Sequence, residues 1–264
     1  APVFADAGSG ATICDVDTNV VLLDFSPAGG TWSGEGLSET GVWQAGPLAP
    51  GDYPVTYAFG EGSCATSSSQ ILSILPRPDL SIEGPAESCI GDSIYFTATA
   101  SGGGAPYFIQ WLNPMAPPGS TAAFLPSAAG EFTVEVMVTD ANGCSEFGYM
   151  TTVVNPLPEV DAGPDVLMCN QSIFEQLNGA TPGPVNGSTN YYFGVGPGAG
   201  AVSPTGSFDP SVAGVGEFFV GYVFESPVTG CIGFDTLVVT VTNPEVVEAG
   251  WDTIACANDP LLQL

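Results

Sequence analysis

The chain has 264 residues, of which 28 are acidic and one, Arg77, is basic, so that its formal net charge is −27. Nucleic acids and anionic membranes are bound through clusters of Lys and Arg, and the sequence has none. It also lacks His and Lys, which excludes Ser-His and Cys-His pairs, imidazole zinc ligands and lysine Schiff bases. We therefore expect neither an enzyme nor a protein that binds nucleic acid or inserts into a membrane.

The remaining composition indicates a folded, extracellular protein rich in turns. The 35 Gly and 24 Pro residues suit many short strands joined by tight turns, and a hydrophobic content of 44% can support packed cores. Seven cysteines without other metal-ligand signals favour an oxidising compartment. No run of about 18 apolar residues is present, so no membrane span is predicted.

One short phrase, from a Pro to a Gly, occurs four times along the chain. Its copies lie at residues 2–8, 78–84, 158–163 and 244–250. The phrases divide the chain into module 1 (residues 1–77), module 2 (78–157), module 3 (158–243) and the start of a fourth repeat (244–264). A period near 80 residues predicts that each module is a domain. Because Ala1 opens inside such a phrase and no signal peptide precedes it, we expect a piece of a longer array.

Each module contains two strand signals near its end. Alternating apolar and polar residues occur at 53–59, 132–138 and 218–224, and again at 71–74, 151–154 and 237–241. The turn Asp140–Cys144 contains Asn142-Gly143, which is typical of a tight hairpin. No segment has a capped helical stripe, so we predict an all-β protein of tandem immunoglobulin-like β-sandwich domains in an extended array.

The cysteines alternate between a constant and a variable spacing. The constant spacing is 25 residues, and the spacings between are 50, 55 and 62 residues. Small cores need support, so we expect one disulfide within each module, which would stabilise it by roughly 4 kcal/mol. The alternative is pairing across the 25-residue junctions, which would join neighbouring modules. The expected pairs are Cys14–Cys64, Cys89–Cys144 and Cys169–Cys231, with Cys256 paired outside this segment.

Each module has an aromatic candidate for a core position between its two cysteines: Trp32, Trp111, and Tyr192 or Phe193. Such a residue is typical of the core of a central strand. The alternative is an exposed platform that stacks against sugars. Tyr191, Tyr192 and Phe193 could likewise form an exposed adhesive patch, although a buried strand is the interpretation we favour.

Residues 132–144 resemble the strand and turn that end a PKD (polycystic kidney disease-type) domain. Residues 29–36, 206–216 and 161–165 are similar to repeats of giant Bacteroidota surface proteins, including gliding-motility adhesins exported by the type IX pathway. The resemblance covers essentially the whole chain. It implies O-glycosylation within an Asp-Ser/Thr-aliphatic pattern, which here makes Ser93, Thr236 and Thr253 candidate sites.

The sequence offers weak candidates for calcium ligands and no other cofactor. Asp15 and Asp17 alternate as at the start of a calcium loop, but the Gly and distal Glu of an EF-hand are missing, and an ordinary acidic turn is the interpretation we favour. Carboxylates at the module junctions could also meet around a calcium ion. These junction candidates are Asp6, Asp161, Asp165, Glu248 and Asp252.

These observations predict a structural and adhesive region of a bacterial cell-surface protein that forms a rod or filament. Its expected partners are neighbouring repeats, further copies in a lateral homo-oligomer, and an unidentified surface or glycan receptor. The alternative is a carbohydrate-binding accessory array of a secreted hydrolase. That alternative predicts a row of exposed aromatic side chains.

Overall fold

The computed structural model describes residues 3–15, 19–21, 24–171 and 173–243. These residues are mostly strands and turns, with a one-turn helix in module 3 and two short 3₁₀ turns, Gly62–Cys64 and Ala199–Ala201. The protein is all-β and built of immunoglobulin-like sandwiches, as the strand periodicity predicts. None of the helices among the described residues has the length and apolar character that a membrane crossing requires.

Module 1 has a four-stranded sheet in the order β1-β6-β5-β3 and a two-stranded sheet, β2-β4. Its strands are β1 (Thr12–Cys14), β2 (Asn19–Val21), β3 (Thr31–Ser33), β4 (Val42–Gln44), β5 (Gly51–Phe59) and β6 (Thr66–Leu75).

Module 2 has a five-stranded sheet in the order β11-β10-β13-β14-β8 and a three-stranded sheet, β12-β9-β7. Its strands are β7 (Pro78–Glu83), β8 (Glu87–Cys89), β9 (Ile94–Gly102), β10 (Phe108–Asn113), β11 (Met115–Ala116), β12 (Thr121–Phe124), β13 (Gly130–Thr139) and β14 (Ser145–Asn155).

Module 3 has a four-stranded sheet in the order β15-β20-β19-β17 and a two-stranded sheet, β16-β18. Its elements are β15 (Val166–Cys169), β16 (Glu175–Gln176), β17 (Thr189–Val195), β18 (Ser207–Phe208), α1 (Pro210–Ala213), β19 (Gly216–Glu225) and β20 (Ile232–Thr242).

Each module has its own hydrophobic core, which follows from the alternation along its strands. In β13 the side chains of Val134, Val136 and Val138 are fully buried, whereas the intervening Thr133 and Glu135 are exposed. Three separate clusters of buried residues result, one in each module. Contacts within the chain define two compact units, Ala1–Pro156 and Leu157–Leu264.

The central aromatic residues occupy these cores. Trp32 is 4% exposed and Trp111 is 2% exposed, and Tyr192 is buried against Tyr222 with ring centroids 4.8 Å apart. The interpretation of these side chains as core residues is confirmed. Tyr191, by contrast, is 41% exposed, because neighbouring residues of β17 point to opposite faces.

The Asp-Ala-Gly part of the repeated phrase forms a local turn that is the same in modules 1 and 3. The Oδ1 atom of Asp161 accepts a hydrogen bond from the amide of Gly163 at 2.8 Å, and Ala162 is fully buried. Gly163 has a φ of +96°, and a Cβ atom there would lie 2.6 Å from the carbonyl oxygen of Asn178. The phrase is therefore explained by packing at the start of a module, where a side chain on the Gly has no room.

Candidate functional site at the junction of modules 1 and 2

The candidate site is the junction at which module 1 ends and module 2 begins. Module 1 ends with β6, and module 2 begins with β7, so that Pro76 and Arg77 alone lie between the two strands. A strand end, a hairpin turn and this two-residue linker meet here. Three interactions join these parts: a disulfide, the hydrogen bonds of one carboxylate within the turn, and an ion pair.

A disulfide crosses this junction. Cys14 of module 1 is bonded to Cys144 of module 2, with an S–S distance of 2.06 Å and a Cα–Cα distance of 5.5 Å. The Cα–Cα distance lies in the normal range for a disulfide. Cys144 has no exposed surface. This disulfide, which we call the staple, fixes the end of module 1 to the hairpin turn of module 2.

The expected pairing within modules is wrong. Cys14 pairs with Cys144 and not with Cys64, and Cys144 is therefore not the partner of Cys89. Cys64 and Cys169 are free and exposed, so the pair Cys169–Cys231 is absent as well. Cys89 and Cys231 are both disulfide-bonded. Cys256 lies outside the described residues.

The physical reason is the length of the last strand. Cys14 lies beside Leu75 at the end of β6, whereas Cys64 precedes the start of the same strand at Thr66. Ten residues of extended chain span about 30 Å, but a disulfide requires Cα atoms less than about 7 Å apart. The two cysteines of a module are therefore at its opposite ends, and neither can reach the other.

The alternative pairing across the 25-residue junctions is also not the one observed, although the disulfide does join neighbouring modules. That alternative required Cys64–Cys89 and Cys144–Cys169, but Cys64 and Cys169 are free. The 25-residue segment from Cys64 to Cys89 contains β6, the linker, β7 and β8. Its two cysteines are therefore separated by the length of β6 as well as by the junction. The topology of the sandwich, rather than the spacing, determines which cysteines meet.

Asp140 organises the turn that carries Cys144. Its Oδ1 atom accepts hydrogen bonds from the amides of Cys144 at 2.8 Å and Asn142 at 2.9 Å. Its Oδ2 atom accepts the amide of Gly104 at 2.8 Å, and the amide of Ala141 donates to the carbonyl of Gly104, also at 2.8 Å. One carboxylate thus ties the cysteine-bearing turn to a second loop of module 2.

These hydrogen bonds determine the acidity of Asp140. Burial alone would raise its pKa, but the amides of Gly104, Cys144 and Asn142 and the Asn142 side chain together lower the pKa below its ordinary value of 3.8. The carboxylate is therefore ionised at neutral pH. Gly103 lies beside it, and a Cβ atom there would be 2.7 Å from Asp140 Oδ2 and 3.2 Å from the nitrogen of Pro78.

The single basic side chain of the sequence is also at this junction. Arg77, in the linker, forms an ion pair with Glu146 of β14 at 3.0 Å, and the two side chains are 42% and 32% exposed. Glu146 is two residues beyond Cys144. Partly exposed ion pairs contribute about 1 kcal/mol or less, so this contact adds orientation more than stability.

Three of the calcium candidates that the structure describes accept hydrogen bonds from backbone amides. Asp161 accepts the Gly163 amide, as described above, and Asp165 Oδ1 accepts the amide of Val238 at 2.8 Å. Asp6 Oδ1 accepts the amide of Gly8 at 2.9 Å. Within residues 3–15, 19–21, 24–171 and 173–243, no group of three or more acidic, Cys or His side chains could hold a metal ion. Asp17, Glu248 and Asp252 lie outside these residues.

Two of the three glycosylation candidates lie on exposed positions. Ser93 precedes β9, and Thr236 is on β20 opposite Gly221. Thr253 lies outside the described residues. Asp235, beside Thr236, accepts the amide of Ala162 at 3.0 Å, and this hydrogen bond and that to the Thr236 amide lower its pKa. The glycosylation of these hydroxyls stays a prediction.

Module 2 also exposes an apolar surface that the sequence did not single out. We call it the outer face of module 2; it consists of Leu112, Glu135, Phe147 and Tyr149, on the solvent side of β10, β13 and β14. Phe147 is 63% exposed and Tyr149 is 79% exposed. The alternation in 145–155 does not reveal this surface, because Phe147 and Tyr149 share the exposed phase of β14 with Thr151 and Val153, and that phase is not polar.

Comparisons with known proteins give distant structural similarity. No protein-family model matches the sequence, and none of the curated proteins matches it. The chain is 12% identical to the N-terminal eight Ig domains of Down Syndrome Cell Adhesion Molecule, over 92% of this chain and 37% of that one, with a TM-score of 0.46.

Two further similar structures are an I-band fragment of titin and the insect immune protein hemolin. The titin fragment is 12% identical over 93% of this chain and 99% of that one, with a TM-score of 0.40. Hemolin is 11% identical over 92% of this chain and 76% of that one, with a TM-score of 0.32. The chain thus spans little more than a third of the first of these relatives.

Proposed function

We propose that the chain is a non-enzymatic structural and adhesive repeat region of a large bacterial cell-surface protein. It would form a rod or filament outside the cell for attachment, motility or cell–cell contact. The domains would be residues 1–77, 78–157 and 158–243, with 244–264 beginning a fourth. The observation that carries the proposal is the Cys14–Cys144 disulfide, which links two modules covalently at their junction.

A staple at a junction suits a load-bearing array. Linkers between independent domains normally allow relative motion, because the interfaces between such domains are small. Here two linker residues, a disulfide and an ion pair connect modules 1 and 2. Disulfides persist in oxidising surroundings, so the staple also supports an extracellular location. The high negative charge would keep such chains soluble and would be screened in salt.

The direct test is electron microscopy of the purified chain and of the material from which it derives. The proposal predicts elongated, beaded particles, and long threads in the native material. Replacing Cys14 and Cys144 by Ser should broaden the distribution of angles between the first two beads. Replacing the free Cys64 and Cys169 by Ser is the matched control and should leave that distribution unchanged. Isolated globular particles in the native material would contradict the proposal.

Lateral association between copies is the second part of this proposal, and the outer face of module 2 supports it. Aromatic side chains are enriched at protein interfaces, and Phe147 and Tyr149 are largely exposed there. Sedimentation of the chain in high salt should show concentration-dependent association that the Phe147→Ser/Tyr149→Ser variant lacks. Tyr95→Ser is the control, since Tyr95 is 69% exposed on the other sheet of module 2.

The alternative function, a carbohydrate-binding accessory array of a secreted hydrolase, is tested on the same surface. Trp32 and Trp111 are buried and cannot stack against a sugar. Phe147 and Tyr149 beside Glu135 could do so. A glycan array that gives binding, lost in the Phe147→Ser/Tyr149→Ser variant, would favour this function. An array without binding would remove it.

A further inference from the structure

The three modules place their first cysteine in the same way. Cys14, Cys89 and Cys169 are each the last residue of a short strand that runs parallel to the end of the module's last strand. The amide of the following residue donates in each case to the carbonyl oxygen of the cysteine's register partner, at 2.8, 3.0 and 2.9 Å. We call these the strand cysteines. Each lies at the C-terminal end of its module.

The second cysteine of each module also has a constant position. Cys64, Cys144 and Cys231 each lie in the hairpin turn just before the last strand, one or two residues before β6, β14 or β20 begins. We call these the turn cysteines. Since the last strand runs the length of the module, each turn cysteine lies at the opposite end from the strand cysteine.

The one pair whose geometry is described joins the two kinds across a junction. The strand cysteine of module 1, Cys14, is bonded to the turn cysteine of module 2, Cys144. Cys89 and Cys231 are also disulfide-bonded. Among the described residues, two thiols are exposed and free. One is a turn cysteine, Cys64 at the N-terminal end of module 1, and the other is a strand cysteine, Cys169 at the C-terminal end of module 3.

We propose that Cys64 and Cys169 are complementary linking sites that bond covalently to further modules of this type. Cys169 would pair with the turn cysteine of a module that follows it, and Cys64 with the strand cysteine of a module that precedes it. The chain would then continue at both ends in disulfides of the Cys14–Cys144 kind. This inference rests on the proposed function as a repeat array. It adds that disulfides link the modules of the array across their junctions.

The chemistry needs an oxidant, which we take to be a small-molecule disulfide such as oxidised glutathione. One protein thiolate attacks a sulfur of this disulfide, forms a mixed disulfide and releases one small thiol. The second protein thiolate attacks the protein sulfur of that mixed disulfide and releases the other small thiol. Two protein thiols are thereby oxidised to one protein disulfide, and one small disulfide is reduced to two small thiols.

A second copy of the chain carries both complementary ends, so it can serve as the partner in a test. All variants would carry Cys256→Ser, which removes the cysteine outside the described residues. The chain is incubated with reduced and oxidised glutathione, so that incorrect pairs can exchange. A salt concentration of 1 M shortens the Debye length to about 3 Å and screens the repulsion between these acidic copies.

We expect a ladder of covalent multimers on non-reducing gels, which collapses on reduction. Cys64→Ser and Cys169→Ser should each remain monomeric alone, because each keeps one kind of site. Mixed together, the two variants should give one covalent heterodimer and nothing larger. Mass spectrometry without reduction should then find a Cys64–Cys169 peptide. Cleavage at acidic residues is needed, since trypsin has one basic residue to act on.

Two results would overturn the inference. The first is dimerisation of either single variant alone, which would show pairing between cysteines of the same kind. The second is a parent chain that stays monomeric with both thiols still accessible to alkylation. Either result would leave the proposed function standing if the particles are elongated and beaded. Globular particles that nevertheless link through Cys64 and Cys169 would instead contradict the proposed function alone.

Discussion

Modules 1 and 2 end in the same kind of β-hairpin, but their turns differ. In module 2 the turn begins with Asp140, and Cys144 is buried and bonded to Cys14. In module 1 the equivalent first position is Gly60, and Cys64 is exposed and free. The comparison indicates that the turn held by a carboxylate is the one that carries the disulfide, whereas the turn that begins with Gly carries a free cysteine.

The largest expected effect comes from removing the staple. Replacing Cys14 and Cys144 by Ser removes a link between residues 130 apart in sequence, which constrains the unfolded chain. The chain-entropy relation gives a loss of about 5 kcal/mol in the free energy of unfolding. Urea denaturation followed by tryptophan fluorescence measures this loss, since Trp43 and Trp111 are buried in modules 1 and 2.

The matched control makes the same change, sulfur to oxygen, in the two free cysteines. Replacing Cys64 and Cys169 by Ser changes exposed positions without a bond, so the free energy of unfolding should change by about 0.5 kcal/mol or less. If both double variants lost the same stability, the staple would have no role beyond that of an ordinary thiol. That result would contradict the distinction between a turn that carries a disulfide and a turn that carries a free thiol.

The second effect tests the ordered turn. Asp140→Asn keeps the size of the side chain but removes the charge that accepts the amides of Cys144, Asn142 and Gly104. We expect a lower melting temperature and faster reduction of the Cys14–Cys144 disulfide by a soluble thiol. Glu61→Gln in the module 1 turn is the control and should change neither, because Glu61 makes no side-chain cap there.

The same variant predicts a pH dependence with a defined sign. The pKa of Asp140 is lowered by folding, so its contribution to stability is complete above the unfolded value of 3.8 and is lost as the pH falls through the folded pKa. The difference in stability between the parent and Asp140→Asn should therefore shrink in acid. A difference that grew below pH 3.8 would contradict the assignment of the charged form as the acceptor.

The strands could be predicted from sequence because their evidence is local. Alternation in 132–138 and 218–224 placed β13 and β19 within a few residues, and the Asn142-Gly143 turn lies between β13 and β14 as expected. The aromatic core positions followed from the same pattern. The outer face of module 2 was not predicted, because exposed Phe147 and Tyr149 break the rule that one phase of a strand is polar.

The disulfide could not be predicted from spacing because it depends on topology. The sequence shows that Cys14 and Cys64 belong to one module, but not that β1 runs parallel to the end of β6. Once this register is known, the two cysteines are separated by the length of a strand, and the staple must cross a junction. Small cores gave a reason for a disulfide within each module, yet each core closes without one.

The smallest expected effect concerns the ion pair beside the staple. Arg77→Gln removes the single basic side chain of the sequence and should cost about 0.5–1 kcal/mol at low salt, because both partners are partly exposed. The effect should disappear in 1 M salt, where screening is nearly complete. A double-mutant cycle with Glu146→Gln isolates the pair, and Glu131→Gln, on the neighbouring strand β13, is a control for charge alone.

The cycle separates two roles that Arg77 could have in so acidic a chain. If it acts through Glu146, each single variant costs as much as the double variant, so the coupling energy differs from zero by the worth of the pair. If it acts by reducing the general repulsion, Arg77→Gln costs stability, Glu146→Gln and Glu131→Gln both restore it, and the coupling is absent. The first result would show that Arg77 acts through its contact with Glu146. That contact would then orient the turn of module 2 against the linker.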